Sequence, residues 1–150
     1  MNTPCIRLRL AALLMLVVGP ASCSRHEVNG QPHLQVGSAV LATLIRAGVP
    51  MTLFDVRTGT HDDGRRIPGA TSLPPDAPAD EIAKRVGSKD RLVVTYCKDP
   101  ACPNFAALAA HLRQLGYTNV LENPAGIEGW TASGFETTRD PAVAQRTQGP

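Results

Sequence analysis

Leu92-Val-Val-Thr-Tyr96 is a short run of apolar, β-branched and aromatic residues, the pattern of a strand buried on both faces. Lys98 to Ala101 form a polar loop with Pro100 as a breaker. From Pro103, a residue suited to a first helical position, Phe105, Leu108, Leu112 and Leu115 recur at helical spacing up to Gly116. A buried strand, a tight loop and an amphipathic helix in succession are the repeating unit of a parallel α/β sheet. Cys97 stands at the carboxyl end of that strand, where open α/β sheets bind ligands. Backbone N–H groups and the positive end of the following helix there favour a thiolate.

The rest of the chain repeats the alternation. Leu34-Gln-Val36 reads as a short edge strand, and Ser38 as an N-cap for a helix over Ala39 to Ala47 that Gly48 ends. Thr52 to Val56 is a strand carrying Asp55 near its end. Thr58 to Arg66 is a polar loop, and Ile67-Pro-Gly-Ala70 turns into a strand over Thr71 to Leu73. Pro78 opens a helix that runs to Val86. Asn119 to Glu122 is a further strand, and Gly126 to Trp130 a turn and short helix packing Ile127 and Trp130 on the core. Aromatic residues make up only 4% of the chain, which suits an aliphatic α/β core better than a β-sandwich.

The ends read differently. Arg7 and Arg9, the apolar stretch Leu10 to Val18 and the small-residue end Gly19 to Ser22 form the three parts of a secretory signal over residues 1–22. The apolar stretch is too short to span a bilayer. Cys23 follows Ala21-Ser22 and resembles the lipidated cysteine of bacterial lipoproteins, with Pro20 where an aliphatic residue is usual; ordinary secretory cleavage nearby is the alternative. An exported, periplasmic protein held to the membrane only through a lipid on Cys23 is therefore expected. Residues 23–33 read as a tether, 34–137 as one domain and 138–150 as a disordered tail. Arg7 and Arg9 account for the whole +2 excess of charge, so the mature chain is neutral and offers no electrostatic case for nucleic acid.

Five segments, taken together and in order, resemble the rhodanese-like domains. They are Asp55-Val-Arg57; Ile67-Pro-Gly-Ala70, with nine residues between; Val93-Val-Thr-Tyr-Cys97; Leu115-Gly-Tyr117; and Gly126-Ile-Glu-Gly-Trp130. The resemblance implies a five-stranded parallel sheet with helices on both faces. It also implies a sulfurtransferase in which the loop cysteine carries a sulfane sulfur as a persulfide inside a ring of main-chain N–H groups. Here that cysteine is Cys97, and Lys98, Asp99, Pro100, Ala101 and Cys102 form the ring, Pro100 shaping it without a donor. The family's common loop is Cys-x-x-Gly-x-Arg, and this chain has Pro100 for the Gly and Cys102 for the Arg. The cation expected to hold an anionic donor is thus missing; Lys98 stands in as a point charge, and Arg66 is expected to return positive charge to the rim. A Cys-x4-Cys loop does recur among rhodanese-like proteins.

Three readings of Cys97 and Cys102 stay open: nucleophile and resolving thiol, a structural disulfide, or a nucleophile beside a small buried residue. Asp55 and Arg57 read as supports of the loop rather than as reacting groups. No metal site is expected, because His61 with Asp62 and Asp63, and His111 alone, lack ligand spacing. No cofactor is implied. A phosphatase loop would be one residue longer and end in Arg. The expected partners are a small sulfur donor or a protein thiol; a non-catalytic module that binds a partner or a sulfur species is the alternative.

Overall fold

A computed structural model describes residues 33–140. The expected signal, Cys23 and most of the expected tether lie outside them, as do residues 141–150. Four strands, β1 (Met51–Asp55), β3 (Ala70–Ser72), β4 (Leu92–Tyr96) and β5 (Val120–Asn123), form a parallel sheet in the order β3-β1-β4-β5. The fifth position beside β5 is held by one parallel bridge, Gln35 to Glu122, with Val36 N–H donating to the Glu122 carbonyl at 2.8 Å. The α/β fold is therefore the expected one, with its edge strand reduced to a single pairing.

Alternation along the central strands sorts the core into two layers. Phe54 and Val93 point to α2 (Ala79–Val86) and α3 (Asn104–Gln114), where they meet Ile82, Val86, Leu108 and Leu112. Leu53, Val94 and Tyr96 point to α1 (Ser38–Arg46) and α4 (Gly126–Ala132), where they meet Leu41, Ile127 and Trp130. The same period sends Cys97 to the α3 side. Among the described residues no helix is long and apolar enough to cross a membrane.

Two local expectations change. Ser38 is the first residue of α1 rather than its cap; Gly37 holds that place, and the Ser38 hydroxyl is buried with no hydrogen-bond partner among the described residues. Thr138–Arg139 form β6, antiparallel to β2 (Arg65–Arg66), so ordered structure extends past the expected boundary at 137. Asp140 N–H extends that ribbon by donating to the Gly64 carbonyl at 2.8 Å.

Candidate active site

Cys97 leaves β4 facing α3, and its sulfur is joined to that of Cys102 in a disulfide across a Cα–Cα distance of 6.1 Å. Cys97 is only 2% exposed, whereas Cys102 is half-buried. The exposed thiolate expected from the sequence is absent from this oxidised form, since Cys97 packs among the apolar residues beneath α2 and α3.

The loop is shaped from both sides. Within it, the Asp99 carboxylate accepts from Ala101 N–H at 2.9 Å and the Asp99 carbonyl from Cys102 N–H at 3.2 Å. Outside it, the start of α4 holds the backbone: Ile127 N–H donates to the Cys97 carbonyl and Glu128 N–H to the Lys98 carbonyl, each at 3.0 Å. Gly126 makes that approach possible. Its φ is +62°, and a Cβ there would lie 2.4 Å from the Lys98 carbonyl oxygen. Gly126 N–H is itself held by Asn123 Oδ1 at 2.9 Å, which fixes the start of α4 against the end of β5.

The expected ring of donors is thus reduced. Pro100 has no N–H, and the amides of Ala101 and Cys102 are engaged with Asp99. The Lys98 and Asp99 amides donate to no acceptor among the described residues. Lys98 Nζ lies 3.3 Å from Glu128 and 3.8 Å from Asp99, so its charge is already shared between carboxylates.

A cleft of about 350 Å³ opens at the disulfide. The loop and the first residues of α3 form one wall; Arg57, Thr58 and His61 form the other. Arg57 is buried with every donor engaged. Nε bonds both Asp55 oxygens at 3.1 Å, Nη2 bonds Asp55 at 2.8 Å and the Arg65 carbonyl, and Nη1 bonds Asp63 at 3.0 Å and the His61 carbonyl at 3.4 Å. Burial alone would lower the Arg57 pKa, but the bonds and charge of Asp55, with Asp63, raise it above the usual value. Arg57 therefore brings a fixed, saturated cation to the cleft wall. Tyr96 lies beneath it; its hydroxyl accepts from Ile67 N–H at 3.2 Å, and burial, then the Asp55 charge, keep it protonated.

Arg66 is not on the rim. It is 2% exposed, bonded to Asp62 at 2.5 and 2.7 Å, to Ser72 at 2.7 Å and to Asp140 at 3.2 Å, and it lines a different cavity beside β3. Alternation along β2 turns Arg65 out and Arg66 in, and the acidic cluster makes the burial tolerable. Arg57, Arg65 and Arg66 also engage the carboxylates of Asp62 and Asp63 beside His61. Sequence reasoning assigned no role to Asn123, to Tyr96, or to Gly126 as the seat of the loop. Only the positive-φ glycine at a helix start carried a local signal.

The chain matches the rhodanese-like domain family over residues 38–133. It is similar in structure to the BH2092 protein from Bacillus halodurans, with 31% identity over 71% of this chain and 77% of that one, at a TM-score of 0.64. The rhodanese-like domain of the Alr3790 protein from Anabaena sp. is 25% identical over 77% of this chain and 85% of its own, at 0.60. A thiosulfate sulfurtransferase from Pseudomonas aeruginosa shares the fold at 18% identity, over 71% of this chain and 20% of that one, at 0.62. No curated protein matches the sequence. With the family match spanning most of the chain and the geometry of a strand-end cysteine loop, the protein belongs to the rhodanese-like domain family.

Proposed function

We propose that this domain carries sulfane sulfur on Cys97 and discharges it with the help of Cys102, as a sulfurtransferase or thiol redox protein. The observation that carries the reading is the disulfide itself: the two sulfurs lie within bonding reach in a cleft at the carboxyl end of the sheet. In the dithiol form the Cys97 thiolate attacks the outer sulfur of a donor such as thiosulfate. The donor S–S bond breaks, sulfite leaves with the electron pair, and Cys97 holds a persulfide. The Cys102 thiolate then attacks Cys97 Sγ. The persulfide bond breaks, hydrosulfide leaves, and the Cys97–Cys102 disulfide remains. Two thiols have lost two electrons and the sulfane sulfur has gained them.

An exported, lipid-anchored setting agrees with a cystine at the loop, because oxidising compartments preserve disulfides. The alternative of a non-catalytic binding module draws support from the two loop amides already engaged by Asp99. Reduced wild type, Cys97→Ser and Cys102→Ser, each treated with thiosulfate or polysulfide, separate the two. Transfer predicts a gain of one sulfur on the Cys102→Ser protein, none on Cys97→Ser, and sulfide release from wild type. Absence of sulfur on Cys97 with every donor would leave the binding module standing.

A further inference from the structure

The two sulfurs of the cystine are not equivalent. Cys97 is 2% exposed and held at both ends: β4 runs up to it, and the α4 amides hold its carbonyl and that of Lys98. Cys102 is half-buried, and it follows Ala101, which is exposed and lines the cleft. Thiol–disulfide exchange goes to the sulfur an incoming thiolate can reach, and the mixed disulfide needs room for its new partner. Both cysteines line the cleft, but Cys102 only packs against the apolar cluster beneath α2 and α3, whereas Cys97 lies within it, so Cys102 is the more accessible of the two.

We propose that the disulfide is reset from the Cys102 side, by a dithiol reductant that forms its mixed disulfide with Cys102 and releases Cys97. The reductant thiolate bonds Cys102 Sγ, and the Cys97–Cys102 bond breaks. Its electron pair leaves on Cys97, at the strand end beside the Lys98 and Asp99 amides. The second thiol of the reductant then attacks its own sulfur in the mixed disulfide. The reductant departs oxidised, and Cys102 regains a thiol with the proton given up. Cys102 is thus both the residue that closes the disulfide and the one that receives the partner. This inference rests on the proposed sulfur cycle in that it names the step returning the protein to its dithiol form.

The oxidised wild-type protein, exposed to glutathione as a monothiol probe and quenched at short times into excess N-ethylmaleimide, reports the direction. Trypsin cleaves after Lys98 and places the two cysteines in separate peptides, Leu92 to Lys98 and Asp99 to Arg113. At the earliest times, glutathione on the Cys102 peptide with maleimide on the Cys97 peptide is expected in roughly tenfold excess over the reverse pairing. Equal or reversed labelling overturns the inference. Sulfur uptake by Cys102→Ser, measured separately, keeps the failures apart. Reversed labelling with uptake intact refutes the direction alone. Selective labelling without uptake refutes the sulfur cycle and leaves the direction standing.

Discussion

Gly126 and Lys98 meet backbone to backbone: a Cβ on Gly126 would lie 2.4 Å from the Lys98 carbonyl oxygen and 2.6 Å from its carbonyl carbon. The loop is therefore seated on α4, an element far along the chain, as much as on the strand that delivers Cys97. Gly126→Ala adds left-handed backbone strain to a steric overlap that only movement of the loop relieves. The expected loss of stability is on the order of 2 kcal/mol or more. Urea unfolding measures it, and a faster reaction of the cystine with glutathione would show that the loop has shifted. An unchanged midpoint would mean the contact is slack.

Arg57 and Asp55 form a buried ion pair, with side chains 1% and 0% exposed. Arg57→Met strips Asp55 of its main partner inside the protein and should cost about 3–5 kcal/mol. Arg57→Lys keeps the charge but loses the fork that grips Asp55, Asp63 and two carbonyls, so it should recover only part of the loss. Chemical denaturation of both variants checks the order.

The acidic residues facing these arginines set an acid limit. Burial alone would raise the Asp63 pKa, but Arg65, an amide bond and Arg57 together hold it at about 2. Asp62 is likewise lowered, burial again opposing and Arg66 prevailing. Both folded-state values lie below the unfolded value of 3.8, so their contribution is present above that pH and is lost as pH falls towards 2. Thermal midpoints measured from pH 5 down to 2 should fall, and Asp62→Asn should flatten the slope. Asp63 is 42% exposed at its side chain, so solvent screening makes its share the smaller one.

The disulfide closes a loop of sequence separation 5, too short to restrict the unfolded chain strongly. Reduction should lower stability by about 2 kcal/mol at most and leave the fold intact. Thermal unfolding with and without reductant tests this. Complete unfolding on reduction would make the bond a structural staple.

What was legible followed chain-local patterns. Leu92 to Tyr96 was apolar but for Thr95 because helices cover both faces of β4, and the cysteine and proline after it marked the loop. Interactions between distant segments left no such trace. Arg66 reads as a solvated charge until Asp62, Ser72 and Asp140 are brought around it. Thr138–Arg139 are polar and pair through backbone alone at an exposed edge, so β6 has no apolar signature. Cys97 and Cys102 were legible as one loop, but the expectation of an exposed Cys97 was not met, because its burial depends on the packing of α2 and α3 over the strand end.

The β2–β6 ribbon bears on where such a chain can be cut. The family-matched stretch ends at Ser133, and a protein shortened to that point would lose Glu136, whose carbonyl receives the Trp130 indole N–H at 2.8 Å. It would also lose the Asp140 carboxylate that faces Arg66. Glu136 and Asp140 thus work as a clasp, keeping an indole and a guanidinium from being bared.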